Sequence, residues 1–173
     1  MLPQVTFTKQ MLATIQQNHA LIEQAIVLLS KTPEATYVQP CEEVFSSSIG
    51  QHMRHCIEHY DELFAAKSEN RVVRYHTRPR NLDVETDLTV AVKRLRFICN
   101  QLERLSNEDS ALEVSDCGVA EPAKSSLCRE LEFLISHTVH HFALITVISN
   151  KLQIEVPKDF GIAPTTLRYR EPH

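Results

Sequence analysis

The chain has 173 residues, 43% of them hydrophobic and 23% charged, and a formal net charge of −4. That length makes one ordinary domain able to bury a core without disulfides or a structural metal, and that composition excludes a disordered chain. The acidic balance leaves no footprint for nucleic acid or an anionic membrane, and three glycines argue against a β-sandwich, a barrel or a Gly-rich phosphate loop.

Four long segments carry helical periodicity. The first is expected from about Lys9 to Ser30, with Thr8 as N-cap, Leu12, Ile15, Ala20, Ile22, Ile26 and Leu29 on its apolar side, and Pro33 just beyond its end. The second starts at the serines of SSSIGQHMRHCIEHYDELFAAK and runs to about Lys67, with Ile49, Met53, Cys56, Tyr60, Leu63 and Phe64 as its seam; Gly50 in its first turn is a small cost. The third is expected from about Val84 to Leu105, capped by Asp83, with Glu85 and Asp87 suiting the positive end of its dipole and Leu88, Ala91, Leu95, Ile98, Leu102 and Leu105 inward. The fourth runs from about Ser125 to Leu152. Its seam of Leu127, Leu131, Leu134, Thr138, His141, Ile145, Ile148 and Leu152 alternates steps of four and three, the spacing of a helix packed in a bundle.

Two long polar connections link these helices. NRVVRYHTRPRNLD predicts a short extended piece at Val72 to Tyr75 and a turn at Pro79; SNEDSALEVSDCGVAEPAK predicts a short strand at Leu112 to Val114. Residues 157–173 hold three prolines and are expected to pack on the bundle as a tail. The fold class that follows is all-α, a four-helix bundle with long crossover connections in one domain spanning 1–173. The N-terminal MLPQVTFTKQ has no signal pattern, and no run approaches 18 apolar residues, so no membrane span is expected. Five cysteines without CxxC spacing read as free thiols, and the expected location is cytoplasmic.

Nine histidines are the anomaly, and six fall in two clusters. On the fourth helix, in SHTVHHFALI, His137 and His141 stand one turn apart, on and beside the inward face, while His140 points about 100° away. An i, i+4 histidine pair can chelate one metal ion; Thr138 stands where a zinc-protease helix would have glutamate, so this is not a zinc-protease signature. On the second helix, in QHMRHCIEH, His52, His55 and His59 span an arc of about 60°, and any one of them could supply a third ligand; angular position alone favours His52 or His59. Three neutral imidazoles leave a coordination position open, and that donor set suits zinc or nickel, with iron compatible.

SIGQHMRHCIEHYDELF on an early helix with HTVHHFALI late in the chain resembles the DinB-like superfamily. That resemblance implies a four-helix bundle, often dimeric, holding a divalent metal on three histidines. Laid on this sequence, Ser48 takes the start position of the second helix, His55 the first ligand, and His137 and His141 the other two. Members include thiol S-transferases that use low-molecular-weight thiols, a mycothiol-dependent isomerase and metal hydrolases. The implied function is a metal-dependent thiol transferase or hydrolase acting on a small molecule. A metal-binding or interaction module without catalysis, or a plain structural bundle, is the alternative.

His52 and His59 remain candidates for a supporting role or as the alternative ligand. In the connection between the second and third helices Tyr75, Arg78 and Arg80 are candidate substrate-binding residues, because a guanidinium holds a carboxylate or phosphate bidentately. Cys56 reads as a small core hydrophobe, and Glu130 and Glu132 as exposed helix surface. Phe133, Ala143 and Val147, read with His140 as a second, outward side of the fourth helix, predict a homodimer.

Overall fold

Apolar residues at three- and four-residue spacing fold here as four long helices, to which shorter elements are added. The computed structural model describes residues 4–106, 108–115, 121–163, 166, 167 and 169. Helix α1 spans Gln4–Lys31, so Thr8 lies inside it and not at its cap. A four-residue helix α2, Glu34–Tyr37, follows, then a 3-10 turn at Glu42–Val44. Helix α3 is Ile49–Glu69, α4 is Leu82–Thr86, α5 is Leu88–Glu103 and α6 is Leu127–Lys151. Helix α1 packs on α5 and α6, and α3 packs on α6 and α5, giving a helical bundle core.

The third expected helix divides in two. Asn81, not Asp83, caps α4 by accepting from the Asp83 N–H; Asp87 then adopts an extended conformation and caps α5 through the N–H groups of Thr89 and Val90. A side chain that satisfies two backbone donors starts a helix there, which is why the pattern breaks at a residue that read as a dipole partner. Gly50 is more than tolerated: a Cβ at this position would lie 2.1 Å from the Glu85 carbonyl oxygen, so its hydrogen side chain lets the first turn of α3 touch α4.

The polar connection before α6 forms a hairpin. Strand β1, Ala111–Val114, pairs antiparallel with β2, Ala123–Ser126, in the register Ala111 to Ser126 and Val114 to Ala123. Val73 adds one parallel rung, donating to the Glu113 carbonyl at 2.8 Å and accepting from the Ser115 N–H at 2.9 Å. The strand at Leu112 to Val114 and the extended piece at Val72 are thus one small assembly, and Ser126 at its end caps α6 by accepting from the Arg129 N–H.

The inward face of α1 is rotated from the expected one, although Ile15, Ile22 and Leu29 are buried as expected. Met11, Thr14, Asn18, Leu21, Ala25 and Leu28 are buried, while Leu12 and Ala20 are exposed. The buried polar residues explain the shift: Asn18 donates to the carbonyls of Thr14 and Leu131 and accepts from the Tyr60 hydroxyl at 2.7 Å, and the Thr138 hydroxyl donates to Tyr60 at 3.4 Å. Three helices are joined by this network. By length and composition alone α6 is long and apolar enough to cross a membrane, with a mean hydropathy of 1.4 over its most apolar stretch, although it holds no unbroken run of 18 apolar residues. It packs along α1 and α3 with Leu131, Leu134, Thr138, Phe142, Ile145 and Ile148 buried. Of the expected tail, Phe160 stacks on Phe142 with ring centroids 4.2 Å apart, and Gly161, at φ +71°, passes against the α6 backbone; Pro164, Thr165, Arg168 and 170–173 lie outside the described residues, as does Cys117.

Candidate metal centre

Helices α3 and α6 pack against each other and bring the two histidine clusters together. The start of α3 is fixed by a reciprocal cap in which Ser48 Oγ accepts from the Gln51 N–H and the Gln51 side chain accepts from the Ser48 N–H. From that start His55 reaches the α6 pair. One ring nitrogen from each of His55, His137 and His141 lies within 4.8 Å of the other two. The His55 ring centroid is 5.0 Å from that of His137 and 4.4 Å from that of His141. Burial is the leading cause that keeps these imidazoles neutral, with the other ring charges and Arg78 adding to it: His137 is lowered to about 4, His141 to about 3 and His55 to about 2. A neutral imidazole is the ligating form.

The crossover that covers the cluster is staked down by two carboxylates one turn apart on α3. Glu62 accepts from the Arg71 guanidinium at 2.7 and 3.0 Å and from the Arg74 N–H at 2.6 Å. Glu58 accepts from the Asn81 N–H at 2.7 Å and lies 3.5 Å from the guanidinium groups of both Arg54 and Arg78. Arg54 in turn holds Glu85 at 2.8 Å. Between these stakes the chain places Tyr75 and Arg78 beside the histidines. Tyr75 stacks on His59 with centroids 5.2 Å apart and donates its hydroxyl to Glu130 at 3.0 Å; Arg78 donates to the Tyr75 carbonyl and to His55 Nδ1.

Hydrogen bonds assign the protons. The Ser47 hydroxyl gives its only proton to the Val44 carbonyl, so it must accept from His52 Nε2, 2.8 Å away. A neutral His52 then has an acceptor at Nδ1, and the 2.9 Å contact there is a donation from His141 Nδ1–H. The lone pair of His141 is thereby placed on Nε2, the support that a metal-binding histidine commonly receives through its other nitrogen. His59 donates from Nδ1 to the His55 carbonyl at 2.7 Å, leaving its own lone pair on Nε2. His137 Nε2 is buried and has no hydrogen-bond partner. His55 differs: its one lone pair accepts from Arg78, so ligation by His55 through either nitrogen requires Arg78 to let go. The donor set fits a divalent ion of the zinc or nickel kind, with one unpartnered nitrogen, one aligned nitrogen and one nitrogen held by an arginine.

A cavity of about 410 Å³ adjoins the cluster, lined by His59, Tyr75, Arg78, Arg129, Glu130 and Phe133 among others. The model of the DinB superfamily matches residues 11–145, well over half of the chain and including all three histidines. The chain belongs to the DinB superfamily. It is also 31% identical over 118 residues to FK506-binding protein 5 of Rhizopus delemar, covering 64% of this chain and 31% of that protein; the chain thus spans less than a third of the curated relative's length. No solved structure matches it.

Within this DinB fold the sequence-selected residues divide. His55, His137 and His141 converge; His52 contacts His141, and His59 lies with its ring centroid 4.1 Å from that of His137. Tyr75 and Arg78 line the cavity, whereas Arg80 is exposed and is not among its lining residues. Cys56 is buried, and burial raises its thiol far above the usual range, which makes it an inert core residue. Glu130 corrects the expectation of exposed surface: it is buried, accepting from Tyr75 and Ser125, while Glu132 is half-buried and accepts from Gln10 at 2.7 Å. Phe133 is likewise no part of an outward face, because its ring packs on His137 and Tyr75 at 5.4 and 5.3 Å between centroids. Reasoning from sequence missed Glu58, Glu62 and Arg129. Glu58 and Glu62 had one signal, an i, i+4 carboxylate pair on a helix followed by a crossover rich in arginine; Arg129, on α6, had none.

Proposed function

We propose that this DinB-superfamily protein is a metal-dependent enzyme acting on a small anionic substrate, as a thiol S-transferase or a hydrolase, with His55, His137 and His141 holding a divalent zinc, nickel or iron ion. The observation that carries this reading is the convergence of three neutral imidazoles, one with a buried and unpartnered Nε2, beside an open cavity. A bound divalent ion supplies a thiol or a water of lowered pKa.

The chain's own residues supply the rest. Arg78, once released from His55, and Arg129 offer two guanidinium groups to a carboxylate or phosphate in the cavity. Phe133, Tyr75 and Val114 give that cavity an apolar wall. His59 Nε2 is the nitrogen available to take a proton from the incoming thiol or water, because its Nδ1–H is committed to the His55 carbonyl. Glu130 holds the Tyr75 hydroxyl, and with it the ring that covers His59.

Metal analysis of untagged protein is the first test, followed by turnover assays with a low-molecular-weight thiol plus an electrophile and with ester or amide substrates. One divalent ion per chain and turnover that depends on it support the enzyme. One ion without turnover of either class leaves the non-catalytic metal-binding module. A homodimer is proposed through the exposed α6 side that carries His140, Ala143 and Val147; sedimentation at tens of micromolar reads it directly.

A further inference from the structure

Helices α1 and α5 run antiparallel, since His19 meets Glu103 and Glu23 meets Cys99. Each helix contributes a pair one turn apart: His19 and Glu23 on α1, Cys99 and Glu103 on α5. None of these residues belongs to the histidine cluster between α3 and α6. The donor atoms of His19, Glu23 and Cys99 all lie within 4.8 Å of one another. His19 Nε2 is 3.1 Å from Glu103 Oε1, and Cys99 Sγ is 3.5 Å from Glu23 Oε1.

We propose that His19, Glu23, Cys99 and Glu103 form a second, surface metal site that takes a borderline divalent cation such as zinc or cobalt and clips α1 to α5.

Geometry carries most of this. Four donors at metal distances of about 2.0–2.3 Å, arranged tetrahedrally, are separated from one another by roughly 3.3–3.7 Å. Two contacts across the helix pair are already near those edges, at 3.1 and 3.5 Å; His19, Glu23 and Cys99 form the convergent set, and Glu103 reaches it through His19. The donor types also select the ion. Imidazole and thiolate favour zinc-like cations over magnesium or calcium, and carboxylates complete the set. Two carboxylates and a thiol share one small volume, and among the described residues no lysine or arginine pairs with Glu23 or Glu103. Burial and those carboxylates push the Cys99 thiol up to about 12, so it stays protonated until a cation arrives. On binding, the metal–sulfur bond replaces the S–H bond and the proton leaves to solvent. Cys99 is buried at the helix seam while His19 is half-buried and Glu23 exposed, so the back of the site is preformed and its front is open to ions.

The test is a cobalt titration of the untagged full-length chain, read by equivalents bound and by the near-ultraviolet charge-transfer band that only a thiolate ligand gives. Two equivalents with the band are expected. Cys99→Ser should lose the band and one equivalent, and His19→Ala, a partly exposed position that should not disturb folding, should weaken the thiolate-linked equivalent at least tenfold. Cys56→Ser should keep the band. One equivalent with the band also supports this site, and then it is the all-histidine centre that has failed. A titration without the band overturns the proposal, as does a band that survives Cys99→Ser or an affinity unmoved by His19→Ala.

Discussion

Tyr60 and Thr138 each follow a histidine of the candidate centre, His59 and His137, so the same turns of α3 and α6 build two polar clusters about 100° apart. The inner one closes. Tyr60, Asn18 and Thr138 satisfy one another and the carbonyls of Thr14 and Leu131 inside the core. The outer one does not close: His137 Nε2 is buried without a partner, and His55 spends its lone pair on an arginine. A closed buried network fixes the packing of helices, whereas an open one costs stability and is kept where a ligand completes it. The contrast separates a closed structural cluster from an open one that could hold a metal ion, on adjacent residues.

The largest expected effect comes from breaking the open cluster. His137→Ala or His141→Ala should lower divalent-metal affinity at least a hundredfold, or roughly 3 kcal/mol, while far-ultraviolet circular dichroism and the urea midpoint of the metal-free protein barely change. His55→Ala should match them. If His52→Ala or His59→Ala instead removes the metal and His55→Ala does not, the ligand on α3 has been misassigned. Breaking the closed cluster should do the reverse. Asn18→Leu leaves the Tyr60 hydroxyl and the Leu131 carbonyl short of a partner in the core and should cost about 2–3 kcal/mol in urea unfolding, with metal affinity per folded molecule unchanged.

The two smaller effects sharpen the comparison. His52→Ala removes the acceptor that places the His141 proton on Nδ1, and isothermal titration should show metal affinity falling about tenfold. Arg78→Ala should move affinity the other way, raising it by a few fold up to about tenfold, because it frees the His55 lone pair and removes a positive charge beside the cation. An unchanged or weaker affinity in Arg78→Ala would show that Arg78 does not compete for His55.

Much of the bundle was legible because helix periodicity is local. The seams of α3, α5 and α6 are buried nearly as their spacing predicts, and the converging histidines stand at one-turn spacings on two such helices. What was not legible depends on the path of the crossovers. Glu58, Glu62 and Glu130 are carboxylates on helices, which ordinarily face water; they are buried only because residues 70–81 and the strand pair return over them. The rotation of α1 was hidden for a similar reason. Thr14 and Asn18 look like surface positions until Tyr60 and the Leu131 carbonyl are placed opposite. Two consecutive N-caps, Asn81 and Asp87, were masked by the acidic residues between them, any of which is a plausible helix start.

The staking of the crossover between α3 and α4 has a consequence for how such a protein can vary. Glu58 and Glu62 grip the two ends of the segment from Arg74 to Asn81 on successive turns of one helix, so the loop between them begins and ends at fixed neighbouring points. Lengthening a loop whose ends are already held together adds little to its closure entropy, roughly 0.6 kcal/mol per doubling. Tyr75 and Arg78 can therefore be exchanged, moved or multiplied by grafting between these stakes while the histidines and the bundle beneath stay as they are. One short cassette can thus vary while the scaffold that holds the histidines does not.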